Sequence, residues 1–164
     1  MLLELARHPR EQTIRGLAAE LGMPHARVQR SLQRLNAAGL YDSARRRLNL
    51  GRAEEFLVHA VKYLFPAEFG GEGRGIPTAW AAEPLRRELA PLTGLPPVWP
   101  DPHGRERGLI LEPLHPSVPE VAQRDPDLGG SLALVDAIRA GDARVAGLAA
   151  DVLVKRLHEP AEHS

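Results

Sequence analysis

The chain has 164 residues with no net formal charge, 43% hydrophobic and 26% charged residues, and no cysteine. A core built from Leu, Val and Ala follows, because only 4% of residues are aromatic, while global disorder, disulfides and thiolate metal sites are excluded. No apolar run approaches the ~20 residues of a membrane span, and the Met-Leu-Leu-Glu-Leu start lacks the basic region of a signal peptide, so the expected location is cytoplasmic.

Residues 1–8 read as a short helix with Leu2, Leu5 and Ala6 on one side, ended by His8-Pro9-Arg10 because proline disfavours helix in the residue before it. Thr13 is placed to cap a second helix, in which Ile14, Leu17, Ala18 and Leu21 recur at helical spacing. Gly22 supplies the stop and Pro24 opens a third helix, whose inner stripe is Val28, Leu32 and Leu35. Residues 40–50 are too short and punctuated for a helix. Leu48 and Leu50 alternate with Arg47 and Asn49, which predicts a small hairpin with its tip near Ser43–Arg46. Helix returns over 52–65, with Leu57, Ala60, Val61 and Leu64 as its stripe, widened by Phe56 and Phe65 and closed by Pro66.

Glycine and proline then punctuate 66–82, which predicts a linker or an ordered surface loop. A short helix is predicted at 83–90. Pro96–Pro100 reads as extended, Asp101-Pro102-His103-Gly104 as a turn and Gly108–Leu111 as a strand, so a hairpin is predicted over 97–112. Two helices close the chain. Residues 128–140 are lined by Leu132, Val135 and Ile138, and residues 142–157 by Val145, Leu148, Ala149, Val152 and Leu153. The fold class expected is mainly α with small β hairpins (α+β). The expected organisation is a helix-turn-helix domain at 1–65, a Gly/Pro-rich connection at 66–96, a hairpin with two helices at 97–157, and a tail at 158–164.

The strongest signal is the run from Thr13 to Leu40. Two helices meet at a tight glycine turn, with Leu17, Ala18, Leu21, Val28, Leu32 and Leu35 where the pair must pack. The pattern Leu17-Ala18, Leu21-Gly22, Val28, Leu32, Leu35, Gly39-Leu40 resembles the winged helix-turn-helix regulators of bacteria, of which the MarR type is one branch. The resemblance covers roughly residues 1–65. It implies that the third helix reads double-stranded DNA and that the hairpin is the wing. It is more specific for fold than for function, because winged helices also serve as protein-docking modules.

Helical geometry sorts the third helix. With about 100° per residue from Val28, Gln29, Gln33, Ala26 and Arg30 fall at roughly 100°, 140°, 160° and 200°, facing away from the packed stripe. Arg27 and Arg34 lie on one flank, at about 260° and 240°. Gln pairs with adenine, Arg with guanine, and a bare Ala meets a thymine methyl, so this face has the chemistry of base readout. From Pro24 to Ala38 there is no acid to repel phosphate. The candidate DNA contacts are His25, Ala26, Arg27, Gln29, Arg30, Gln33 and Arg34, joined by Arg45, Arg46 and Arg47 at the hairpin. Charge agrees with that placement. Residues 1–50 hold nine arginines against four acids, whereas the remainder holds 12 basic and 17 acidic residues.

Other motifs fail their tests. Gly70-Gly71-Glu72-Gly73-Arg74-Gly75 has no Gly-Lys-Ser/Thr and no preceding strand, so it reads as a flexible loop rather than a phosphate cradle. The seven histidines, His8, His25, His59, His103, His115, His158 and His163, lack zinc-like spacing, and no Gly-x-Ser-x-Gly elbow occurs. Asp125, Asp127, Asp136 and Asp142 read as caps at turns and helix starts. Neither a cofactor nor an enzymatic activity is expected. The acidic C-terminal half suits dimerisation or a protein partner, and a homodimer is expected because a two-fold dimer doubles the contact with a palindromic site. Two alternatives stand beside the regulator: a winged-helix docking subunit, and an antitoxin-like repressor whose C-terminal half holds a partner protein.

Overall fold

A computed structural model describes residues 1–9, 12–89 and 93–159. Arg10, the last residue of the helix expected at 83–90, and the tail from 160 onward, His163 included, lie outside the described residues. The fold is α+β, as its sequence patterning predicts.

The N-terminal part runs α1 (Leu2–Arg7), α2 (Ile14–Leu21), α3 (His25–Ala37), β1 (Tyr41–Asp42), β2 (Arg47–Leu48) and α4 (Leu50–Glu55). Strands β1 and β2 pair antiparallel, Tyr41 with Leu48 and Asp42 with Arg47, which is the expected hairpin. Asn49 caps α4 by accepting from the Arg52 amide, so the helix begins earlier than apolar spacing alone suggests. A π-helical turn, Phe56–Ala60, leads into α5 (Val61–Leu64). That wider turn rotates the residues after it relative to an unbroken α-helix. Leu57 and Val61 are buried, but Leu64 and Phe65 are 62% and 49% exposed, so these two leave the predicted inner stripe.

The glycine-rich segment corrects the loop reading. Phe69–Pro77 is a strand, β3, which pairs antiparallel with both β4 (Pro97–Pro100) and β5 (Glu106–Leu111). Strands β4 and β5 run parallel to each other, with Pro97 opposite Leu109 and Val98 opposite Ile110. The expected 97–112 hairpin is therefore not formed. Each strand pairs with the other two, and this small closed unit depends on close backbone approach. A Cβ at Gly75 would meet the Trp99 carbonyl, and one at Gly108 the Pro96 carbonyl. Glycine here admits a neighbouring strand, not a phosphate.

A short helix, α6 (Leu85–Glu88), falls inside the expected 83–90 segment. Helices α7 (Val118–Arg124), α8 (Pro126–Ala140) and α9 (Ala143–His158) close the chain; the first of them has no counterpart in the apolar patterning. Asp125 and Asp142 do cap α8 and α9, accepting from Leu128 and Val145 amides. Helix α8 is the hub. It buries Leu128, Ala133, Leu134, Val135, Ala137 and Ile138, far more than the one stripe expected, because other elements cover several of its sides. Leu2 and Leu3 of α1, Leu57, Val61, Leu85, and Val145, Ala149, Leu153 and Leu157 of α9 join it in one cluster. The α9 stripe is thus used inside its own chain.

Asp136 is the aspartate the capping rule misplaces. It lies within α8, 1% exposed, and accepts from Thr78 Oγ1 at 2.8 Å, Trp99 Nε1 at 2.6 Å and Arg139 at 2.6 Å. Burial pushes its carboxyl above the usual aspartate value, against the pull of Thr78, Arg139 and Trp99. Arg139, whose side chain is 4% exposed, also donates to the Phe65 and Pro66 carbonyls. Removing the carboxylate leaves the buried indole N–H without its acceptor and the buried guanidinium without its counter-charge. Asp136→Ala is therefore expected to destabilise the protein by about 3–5 kcal/mol, the range for breaking a buried pair from one side. Urea unfolding measures it; a loss within ~1 kcal/mol, an ordinary surface value, would contradict this role.

Candidate nucleic-acid interface

The two-helix motif is built as its residues require. Thr13 Oγ1 accepts from the Gly16 amide at 2.9 Å and opens α2. Gly22 ends α2 at φ +58°, a left-handed conformation that costs other residues a Cβ clash. The Met23 amide returns to the Ala18 carbonyl at 3.0 Å, and Pro24 leads into α3. Leu17, Ala18 and Val28 are buried together with Leu5 and Tyr41, and Leu32, Leu35 and Leu48 pack against them. One apolar cluster thus holds α1, α2, α3 and the hairpin in register.

Helix α3 contributes one fully buried residue, Val28. His25, Ala26, Arg27, Gln29, Arg30, Gln33 and Arg34 are all exposed, as the helical angles require. At the hairpin tip, Asp42 accepts from the Ala44 and Arg45 amides at 2.9 Å each and pairs with the Arg45 guanidinium at 3.1 Å. The Arg45 amide, assisted by the Ala44 amide and the Arg45 charge, holds the Asp42 carboxyl below the usual range. Arg46, at φ +52°, reaches back to the Gln12 carbonyl at 3.3 Å. Arg47 is exposed. The Ser43 amide donates to Asn36 Oδ1 at 2.9 Å, which anchors the tip to the end of α3. The three arginines are exposed on a hairpin braced against α3; Arg45 carries its own counter-ion and Arg46 is tied to the Gln12 carbonyl.

The C-terminal body also grips this motif, through residues with no local sequence signal. Arg124 of α7 donates to the Ala19 and Glu20 carbonyls at 2.8 and 2.5 Å. Ser117 Oγ donates to the Leu21 carbonyl at 2.8 Å. The Glu20 and Leu21 carbonyls are orphans at the end of α2, satisfied from about a hundred residues away, while Ala19 also accepts from the Gly22 amide at 3.4 Å. His115 Nε2 lies 3.1 Å from Arg27 on α3. At the other end, Arg7 of α1 pairs with Asp125 at 2.7 Å and with the buried Glu4 at 3.1 Å. Burial raises the Glu4 carboxyl above its ordinary value, opposed by Arg7.

Among the described residues, no group of three or more His, Asp or Glu side chains could hold a metal ion, and no helix is long and apolar enough to cross a membrane. Residues 1–40, which run from α1 to the start of the hairpin, match the model of the MarR family. No curated protein and no solved structure matches the chain.

The turn gives a direct test of this construction. Gly22→Ala is expected to destabilise the protein by ~1–2 kcal/mol, the cost of placing a Cβ in the left-handed region. The new methyl would also sit 3.4 Å from Ser117 Cβ, an ordinary contact, so conformation rather than crowding sets the loss. Urea unfolding of the variant checks it; unchanged stability would contradict the turn.

Proposed function

We propose that this protein is a sequence-specific, double-stranded-DNA-binding transcriptional regulator of bacterial type, acting as a repressor in the cytoplasm. The observation that carries the proposal is the outer face of α3. It is exposed, free of acid, and presented by a helix pair that lies within residues 1–40, the segment matching the MarR family. In this reading α3 enters the major groove, which is wide enough to admit a helix. Gln29, Arg30 and Gln33 meet base edges, Ala26 meets a thymine methyl, and His25, Arg27 and Arg34 reach the flanking backbone. Arg45, Arg46 and Arg47 lie on the phosphates or along the minor groove, where they supply affinity more than sequence choice. No catalytic role is assigned to any residue.

The active form is proposed to be a homodimer. Tyr63, Leu64, Phe65 and Phe69 are 77%, 62%, 49% and 46% exposed around the end of α5 and the start of β3. Large apolar side chains grouped at a surface favour burial against another chain. Two-fold pairing would set two α3 helices on successive half-sites about one helical turn apart.

Three measurements test this reading. Selection of binding sites from a random duplex library, run on wild type and on Arg30→Ala, should show a relaxed preference at one base position and a loss of ~1–3 kcal/mol on the selected site. An unchanged preference would remove Arg30 from base readout. Replacing Arg45, Arg46 and Arg47 together with Gln should lower the log–log salt slope of binding by about 2–3, if each neutralises one phosphate; a slope equal to wild type would place them in solvent. Mass measurement in solution at micromolar concentration should give twice the chain mass, and Leu64→Glu should shift it to one. A single-chain particle, free and on DNA, would refute the dimer.

A further inference from the structure

His115 stands in the loop between β5 and α7, and its ring bridges the two helices of the motif. A guanidinium can only donate, so the 3.1 Å contact from Arg27 requires a lone pair on Nε2. The ring hydrogen therefore sits on Nδ1, which donates to Ser117 Oγ at 2.8 Å. The Ser117 hydroxyl hydrogen in turn goes to the Leu21 carbonyl at 2.8 Å. A neutral ring has one lone pair, so the Ser117 amide, which points at Nδ1 from 3.2 Å, competes with Arg27 for it; the Nδ1–H tautomer satisfies Arg27 and leaves that amide without this acceptor. One directed chain results, from Arg27 through His115 and Ser117 to Leu21. It leaves α3, crosses the C-terminal body and ends on α2, spanning the Gly22 turn from outside.

We propose that neutral His115, backed by Ser117, is a positioning residue of the DNA-reading surface, orienting the Arg27 guanidinium toward the phosphate backbone and releasing it on protonation. The proposal rests on the DNA-binding reading above. A guanidinium has five N–H donors in a rigid fork. Holding one of them on Nε2 orients the others before DNA arrives, which cuts the ordering cost of binding. Imidazolium has no lone pair, so protonated His115 cannot accept from Arg27 and repels it. The ionisable groups facing the ring are the Arg27 guanidinium from α3 and the amino group of Met1, just before α1, which burial lowers to about 6. Burial first, and then these charges, hold the ring below the ordinary histidine value of 6.5. The sign follows. The unfolded chain takes up this proton more readily than the folded one, so the bridge is intact above pH 6.5 and is lost as the pH falls below it.

The test compares DNA affinity at pH 7.5 and pH 5.5, by fluorescence anisotropy on the selected duplex, for wild type, His115→Gln, His115→Ala and Ser117→Ala. Glutamine offers an acceptor oxygen near the Nε2 position but does not titrate. His115→Gln should keep wild-type affinity at pH 7.5, while His115→Ala should lose about tenfold, the scale of one hydrogen bond to a charged group. Between pH 7.5 and 5.5 wild type should weaken relative to His115→Gln, by less than that tenfold, because its midpoint lies below 6.5. Only the difference between the two profiles counts, because His25 and the Met1 amino group, lowered to about 6, are present in both. Ser117→Ala should fall between wild type and His115→Ala at pH 7.5. Wild-type and His115→Gln profiles that superimpose, or His115→Ala with wild-type affinity, would overturn the proposal. Long-range ¹⁵N–¹H spectra of the free protein separate this failure from failure of the DNA reading. They should show His115 with its hydrogen on Nδ1 and a titration midpoint below 6.5. A hydrogen on Nε2 would overturn the bridge even if DNA binds, and the predicted tautomer without any DNA binding would overturn the reading surface instead.

Discussion

One buried carboxylate organises the C-terminal body. Asp136 sits inside α8 and receives Thr78 from the segment after β3, Trp99 from β4 and Arg139 from its own helix. A charge so far from water is tolerated only when its lone pairs are filled. Three donors from three parts of the chain must therefore arrive together. Arg139 carries the constraint further, to the Phe65 and Pro66 carbonyls where α5 ends. The three-stranded unit and the winged motif's last helix are thus both referred to the same point on α8. Apolar burial holds these elements close; the carboxylate decides how they are oriented.

The body in turn shapes the two-helix motif. A helix-turn-helix leaves unpaired carbonyls at the end of its first helix. In this chain Glu20 and Leu21 find their donors in Arg124 and Ser117, on α7 and just before it, and Arg124 also reaches Ala19. Arg7 ties α1 to Asp125, where α7 gives way to α8. The motif is therefore held at both ends by residues from the C-terminal half. Its outer face stays free because those grips use the α2 terminus, α1 and the flank at Arg27, leaving Gln29, Arg30 and Gln33 exposed.

The exposed aromatic and aliphatic group at Tyr63, Leu64, Phe65 and Phe69 has its origin in the same frame. The π-helical turn at Phe56–Ala60 moves Leu64 and Phe65 off the stripe that Leu57 and Val61 occupy. Lys62 lies over the Tyr63 ring at 5.1 Å, which keeps that ring against its own helix.

What the sequence determined by itself is the local construction of residues 1–50. Helical spacing, the Thr13 cap, the Gly22 stop, Pro24 and the alternation at Leu48 are short-range signals, and each acts within a few residues of where it is written. The exposed set on α3 follows from Val28, Leu32 and Leu35 alone, because a helix has only one outer face. Tertiary structure decided what the C-terminal half becomes. Gly70–Gly75 carries no strand signal in its composition, since small side chains promise flexibility until two other strands close around them. Trp99, Thr78 and Asp136 are unremarkable apart, and only burial in one place makes them a hydrogen-bonded group. His115, Ser117 and Arg124 lie too far along the chain from Leu21 and Arg27 for any periodicity to connect them. Local pattern governs where backbone dihedrals and side-chain faces are set by neighbours; partners distant in sequence are chosen by packing, which no short window contains.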